Sequence, residues 1–267
     1  MSRRRFPSAH GLFITGTDTG VGKTLVAAGL AAWCRAHGID VGVMKPVATG
    51  GLRLGNRWVS PDAKLLAAAA GADDSLELVN PVCYRDPLAP YAASLRSLQP
   101  VDWPAMRRAF EAMMARHQFL IVEGIGGLLV PLSRRRTVLD LIHVFRLPCL
   151  IVSRLRLGTL NHTLLTVRQA EHEGVSVVGV VLNAEEPPTA DADARLAERT
   201  NPSVLRACLP VPLLGVLPYR REFANGSSAP MRLSRWVARA LDPAFLRWLQ
   251  GQGGRAGQPA RLPRRRV

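Results

Sequence analysis

Lysine is nearly absent from this chain of 267 residues: of its 35 basic residues, 32 are arginine and only Lys23, Lys45 and Lys64 are lysine. A chain that uses arginine wherever positive charge alone will do has a separate use for lysine, whose compact, freely rotating ammonium approaches an oxyanion differently from a planar guanidinium. Cysteine is scarce as well. The four, at positions 34, 83, 149 and 208, are widely spaced and form no Cys-x-x-Cys, which argues against a zinc centre and a disulfide framework. They are expected to be reduced, mostly buried thiols. No apolar run approaches the roughly 18 residues of a membrane span. The short apolar stretch after Arg3-Arg4-Arg5 is too brief for a secretory signal, so a cytoplasmic protein with no membrane partner is expected.

What is present is a globular balance, with 48% hydrophobic residues and a mean hydropathy of +0.08. The length predicts one domain over residues 10–250, between a basic, disordered N-terminus at 1–9 and a disordered Arg/Gly/Pro-rich tail at 251–267. The net charge of +15 invites a nucleic-acid reading, but eight arginines in those two ends leave about +7 for the body. Terminal arginine runs are usually solvated, so nucleic acid is not an expected partner.

Along the chain, apolar runs alternate with helical periodicity. Strands are predicted at 12–14, 41–44, 119–127, 147–152, 175–182 and 213–217, with a short one at 76–79. Helices are predicted at 24–37, from Ser60 onward, at 101–117, from about 159 to 173, briefly near 196, and at 231–241 and 243–250. This alternation calls for a parallel sheet flanked by helices, an α/β fold whose ligands lie at the carboxyl ends of the strands.

Four such strand ends carry the chemistry. The first is Gly16-Thr17-Asp18-Thr19-Gly20-Val21-Gly22-Lys23-Thr24, a strand–glycine loop–helix passage. Its amides, with the positive helix end, form an anion site for phosphates, Lys23 reaching the β- and γ-phosphates and Thr24 offering a hydroxyl to Mg²⁺. Five residues, rather than the usual four, separate Gly16 from Gly22. The second is Lys45-Pro46-Val47-Ala48-Thr49-Gly50, with a lysine pointing toward the same crevice. The third is Val122-Glu123-Gly124-Ile125-Gly126-Gly127, which puts an acid where nucleotide-hydrolysing folds hold or orient Mg²⁺. The fourth ends at Asn183. Asp62, in the first turn of a helix, can be read simply as complementing the helix dipole.

Together these motifs closely resemble dethiobiotin synthetase, with further likeness at Leu157-Gly158-x-x-Asn161-His162, Asn183 and Leu214-Gly215-x-Leu217-Pro218, so that residues 10–222 are covered. The resemblance implies a P-loop NTPase-like fold and an ATP- and Mg²⁺-dependent ring closure. In it, 7,8-diaminononanoate and CO₂ give dethiobiotin, ADP and phosphate through a carbamate and a carbamic-phosphoric anhydride. It implies catalytic roles for Lys23 and Lys45, metal binding by Thr24, Asp62 and Glu123, and substrate contacts from Thr19 and Thr49. Gly20, Val21 and Gly22 would cradle phosphate; Gly124, Ile125 and Gly126 would floor the site; Asn183, Ala184, Pro218 and Tyr219 would hold adenine. Gly158, Thr159, Leu160 and Asn161 would cap the substrate carboxylate from the neighbouring subunit of a homodimer. The chain departs from the family at Gly20, where some relatives carry an acid, and at the basic run 134–136. The alternative is a partition or positioning ATPase that dimerises with ATP, but such proteins carry a signature lysine five residues before the loop lysine, where this chain has Asp18.

Overall fold

In the computed structural model, residues 10–187, 189, 191–223 and 229–252 are described; the N-terminal segment and nearly all of the tail that were expected to be disordered lie outside the described residues. The chain opens with β1 (Gly11–Gly16), α1 (Lys23–Ala36) and β2 (Val41–Met44), then β3 (Val47–Ala48), β4 (Leu52–Leu54) and β5 (Arg57–Val59). There follow α2 (Pro61–Ala70), α3 (Leu76–Val79), β6 (Val82–Cys83), α4 (Pro90–Ser97), α5 (Trp103–Arg116), β7 (Phe119–Gly127) and α6 (Val138–Phe145). The remainder is β8 (Cys149–Arg154), α7 (Thr159–His172), β9 (Val177–Asn183), α8 (Ala192–Cys208), β10 (Leu213–Leu217), α9 (Pro230–Ala240) and α10 (Pro243–Gln250).

Among the described residues a six-stranded sheet runs β10-β9-β8-β1-β7-β2, with every neighbouring pair parallel. Strands buried on both faces need apolar side chains on both, and here alternate residues serve opposite cores. Leu12 and Ile14 of β1, with Phe119 and Ile121 of β7, face α1, α2, α9 and α10. Phe13, Leu120 and Val122 face α5, α6, α7 and α8. The expected α/β sheet covered by helices on both faces is therefore observed.

Several local expectations need correction. Residues 76–79 form one helical turn, α3, not a strand; Leu-Glu-Leu-Val fits either periodicity over four residues, and the turn presents the Val79 carbonyl to the Lys45 amide at 2.6 Å. The short helix near residue 196 is α8, 17 residues long, capped by Asp191 and continuing through Pro202. The thiols are all free, but only Cys34 and Cys149 are buried; Cys83 is half-buried and Cys208 exposed. Burial pushes Cys34 and Cys149 up to about 12, which makes them inert packing groups.

One buried carboxamide fastens the segments that carry the site. Asn80, 1% exposed, donates from Nδ2 to the carbonyls of Lys45 (2.8 Å) and Val82 (3.0 Å), and its Oδ1 accepts from the Ser60 amide (3.2 Å). The end of β2 is thereby tied to the entry of α2, which bears Asp62. Asn80→Ala strands three buried backbone groups and is expected to cost about 1–3 kcal/mol. In a urea titration this appears as a lower midpoint with an unchanged slope; an unchanged midpoint would contradict the clamp.

Candidate active site

The loops after β1 and β2 and the carboxyl-terminal half of β7 open on one crevice of about 660 Å³ at the carboxyl ends of the parallel strands. Of the residues singled out from sequence, Thr19, Gly20, Gly22, Lys23, Thr24, Lys45, Thr49, Asp62, Glu123, Ile125 and Gly126 line it. A larger groove, about 960 Å³, runs along β10 at the sheet edge and contains none of them.

The glycine loop is shaped from below. Gly22, with φ 86°, is the N-cap of α1, in a left-handed conformation that disfavours any side chain. A Cβ there would collide with the carboxamide of Asn183, which donates to the carbonyl of Val21 at 3.1 Å. Asn183 is buried beneath the loop, and neither it nor the buried Val21 of the loop itself lines the crevice wall. The Ala184 amide donates to the Leu217 carbonyl at 3.0 Å, joining the ends of β9 and β10. Pro218 follows; its carbonyl accepts from Trp236 Nε1 at 3.0 Å, and it borders a separate hollow with Arg220, Arg235 and Arg239, outside the crevice. Tyr219, half-buried, is next to it and does not line the crevice either.

Gly158, Thr159, Leu160 and Asn161 form the start of α7, and within one chain none reaches the crevice. The Thr159 hydroxyl is turned inward, 2.9 Å from Ser153 Oγ, which lies 2.8 Å from Thr163 Oγ1 and 3.1 Å from Thr17 Oγ1. This hydroxyl cluster ties the start of α7 to the glycine loop.

The electrostatic centre is Lys45. Its Nζ lies 2.6 Å from Glu123 Oε1, 3.1 Å from Asp62 Oδ2 and 3.3 Å from the Gly124 carbonyl. Glu123 Oε1 also accepts from Thr24 Oγ1 at 2.8 Å. The Lys45 and Glu123 side chains are 4% and 1% exposed, whereas Asp62 is half-exposed. Burial alone would lower the Lys45 pKa, but Glu123 and Asp62 outweigh it and hold the ammonium above its ordinary value, so it is charged. Lys23 differs. Its Nζ donates to the Asp18 carbonyl at 2.8 Å, and burial, reinforced by Lys45 and opposed by Glu123, Asp62 and Asp18, lowers its pKa to about 8.

Sequence reasoning missed part of the wall: Leu25, Ala48, Pro87, Leu88, Ala89, Pro90, Val130, Glu185 and Phe223. Arg154 was missed too, although it stands at the end of a buried strand like the residues that were found. Its Nη2 donates to the Thr19 carbonyl at 2.8 Å and lies 3.3 Å from Asp18 Oδ2, while its Nε faces Glu185 at 3.6 Å.

A family model described as an AAA domain matches residues 10–227. The chain is 42% identical over 238 residues to the ATP-dependent dethiobiotin synthetase BioD of Thermodesulfovibrio yellowstonii, covering 86% of this chain and 98% of that protein. This chain belongs to the dethiobiotin synthetase family. The synthetase of the same name from Bacillus velezensis is 40% identical over 206 residues, with 77% of this chain and 85% of that one covered. Among solved structures, the MinC:MinD cell division protein complex of Aquifex aeolicus covers 97% of this chain and 99% of its own at 13% identity and a TM-score of 0.49.

For an ATP-dependent family, the lowered pKa of Lys23 has a consequence. Folding favours its neutral amine, so Lys23 contributes stability that grows as pH rises from about 8 toward its unfolded value of 10.5. A triphosphate favours the ammonium instead. Binding of a non-hydrolysable ATP analogue at pH 8.5 is therefore expected to take up a proton, seen by calorimetry in buffers of different ionisation enthalpy, and Lys23→Met should abolish the uptake. Equal uptake by both proteins would assign the proton elsewhere.

Proposed function

We propose that the chain catalyses the ATP-dependent closure of 7,8-diaminononanoate with CO₂ to dethiobiotin, releasing ADP and phosphate. The observation that carries this is the meeting in one crevice of the two lysines of the strand-end loops with an all-oxygen set from Thr24, Asp62 and Glu123. The reaction gathers three anions, the carbamate, the triphosphate and the remote carboxylate, and phosphoryl transfer depends mainly on alignment and charge neutralisation.

Lys23 and the loop amides from Gly20 onward hold the triphosphate. Lys45, on the opposite wall, stabilises the carbamate oxygen as it attacks the γ-phosphorus, and the second amine then closes the ring and expels phosphate. Thr19 and Thr49 accept and donate hydrogen bonds at the amine end, over a floor formed by Gly124, Ile125 and Gly126. Asn183, Ala184, Pro218 and Tyr219, at the ends of β9 and β10 and outside the crevice wall, would carry the adenine side. Thr24, Asp62 and Glu123 fit Mg²⁺. Their donors are all oxygens, Glu123 Oε2 is buried with no hydrogen-bond partner among the described residues, and the carboxylates already hold a positive charge in Lys45. When bound, Mg²⁺ supplies neutralisation of the phosphate charge.

The start of α7 does not reach the crevice of its own chain, which supports a homodimer in which Gly158, Thr159, Leu160 and Asn161 serve the neighbouring subunit. Leu157, 80% exposed, and Leu165, 59% exposed, give that region an apolar surface. No helix among the described residues is long and apolar enough to cross a membrane. The positioning-ATPase alternative meets Asp18 where its signature lysine belongs, held by Arg154.

ADP release is expected to require both diaminononanoate and bicarbonate; turnover indifferent to the diamine but stimulated by DNA would favour the positioning ATPase. Lys45→Gln is expected to lower ring closure by roughly 10²–10³-fold, as for loss of one preorganised charge donor, while nucleotide still binds. Undiminished turnover would remove Lys45 from the chemistry.

A further inference from the structure

We propose that Lys45 and a divalent cation are alternative occupants of one seat, formed by Asp62 and Glu123, so that the arrival of the cation with the triphosphate transfers the Lys45 ammonium from these carboxylates to the reacting oxygens. The proposal rests on the reading of Thr24, Asp62 and Glu123 as the metal holders and adds to it a second task for the two carboxylates: positioning Lys45.

Three observations carry it. The first is overlap. Lys45 Nζ lies 2.6 Å from Glu123 Oε1 and 3.1 Å from Asp62 Oδ2, while Mg²⁺ sits about 2.0–2.1 Å from its oxygen ligands. A cation taking Asp62 Oδ2 and a Glu123 oxygen, whether Oε1 or the unpartnered Oε2 of the same carboxylate, would stand against the space the ammonium fills, and two positive centres cannot lie so close without an anion between them. The second is confinement. Lys45 is 3% exposed, and its backbone is pinned at both ends, its amide donating to the Val79 carbonyl and its carbonyl accepting from Asn80. The displaced ammonium therefore stays within the crevice, where an incoming phosphate or carbamate supplies another oxygen. The third is selectivity. Lys23 donates to a backbone carbonyl, that of Asp18, and forms no ion pair with either carboxylate, so the exchange involves Lys45 alone. It follows that metal and triphosphate bind together far better than the metal binds by itself.

The three lysines make the test direct. Protein carrying ¹³C-labelled lysine gives three side-chain Cε–Hε signals, which the Lys45→Gln and Lys64→Arg variants assign. The non-hydrolysable ATP analogue without metal should move the Lys23 signal and leave that of Lys45 in place; adding Mg²⁺ should then move Lys45. In parallel, free Mn²⁺ is followed by electron paramagnetic resonance. Lys45→Met, without nucleotide, should bind Mn²⁺ at least tenfold more tightly than the unmodified protein, and Asp62→Asn in that background should remove the gain. A Lys45 signal that ignores Mg²⁺ and analogue, or a folded Lys45→Met that gains no Mn²⁺ affinity, overturns the exchange. If Glu123→Gln still weakens binding of the Mn²⁺–analogue complex, the metal assignment survives that failure. If neither Glu123→Gln nor Asp62→Asn weakens it, the metal assignment falls and the exchange falls with it. The lysine spectrum of the unmodified protein decides the matter even where Lys45→Met does not fold.

Discussion

A charged group at the end of a buried parallel strand must find an oppositely charged partner there, because little water can reach it. In this chain the register supplies that partner. Met44 of β2 lies opposite Val122 of β7, so the next residues along, Lys45 just past the end of β2 and Glu123 within β7, stand at the same level and meet at 2.6 Å. Removing either would leave an uncompensated charge in the interior. Much around them serves this pair. Asn80 fixes the backbone of Lys45, α2 brings Asp62 within 3.1 Å, and Thr24 at the start of α1 donates to the oxygen that Lys45 grips.

The two cationic side chains of the crevice are held in different ways, and the chemistry divides along that line. Lys23 has the dipole of a loop carbonyl as its nearest partner, so burial dominates and lowers its pKa to about 8, a shift that an incoming anion opposes. Lys45 is charged because it sits on two carboxylates. One lysine is thus completed by ligand binding, while the other has to be released by it. Arginine could fill neither position, since its planar fork cannot pivot about a single nitrogen as an ammonium does.

Much of this was legible in sequence because it lies where strands end. Glycine loops, a lysine after 41–44 and an acid after the apolar run at 119–122 are local patterns, and the parallel sheet follows from alternation. What escaped was set by tertiary contacts or by weak local signals. Asp62 alone reads as a helix-dipole residue and enters the site by resemblance; its ion pair with Lys45 at 3.1 Å is set by tertiary contact. Residues 76–79 satisfy both periodicities, and a long-range bond from the Val79 carbonyl to the Lys45 amide accompanies the helical turn. Two features were readable and were passed over. The two-residue Gly55-Asn56 link makes the β4–β5 hairpin, and the Thr137/Asp140 capping box opens α6. Gly158, Thr159, Leu160 and Asn161 do not line the crevice of their own chain, so nothing within one chain assigns them a place in the site.

The convergence of two ammonium groups on one phosphoryl group is the central claim, and a crystal structure with Mg²⁺, the non-hydrolysable ATP analogue and the diamine tests it most directly. The expected result is Nζ of Lys23 and Nζ of Lys45 each within about 3 Å of γ-phosphoryl oxygens, approaching from opposite walls, with Asp62 and Glu123 turned to the metal. A complex in which either lysine points away from the γ-phosphate while the ligands are in place would contradict it.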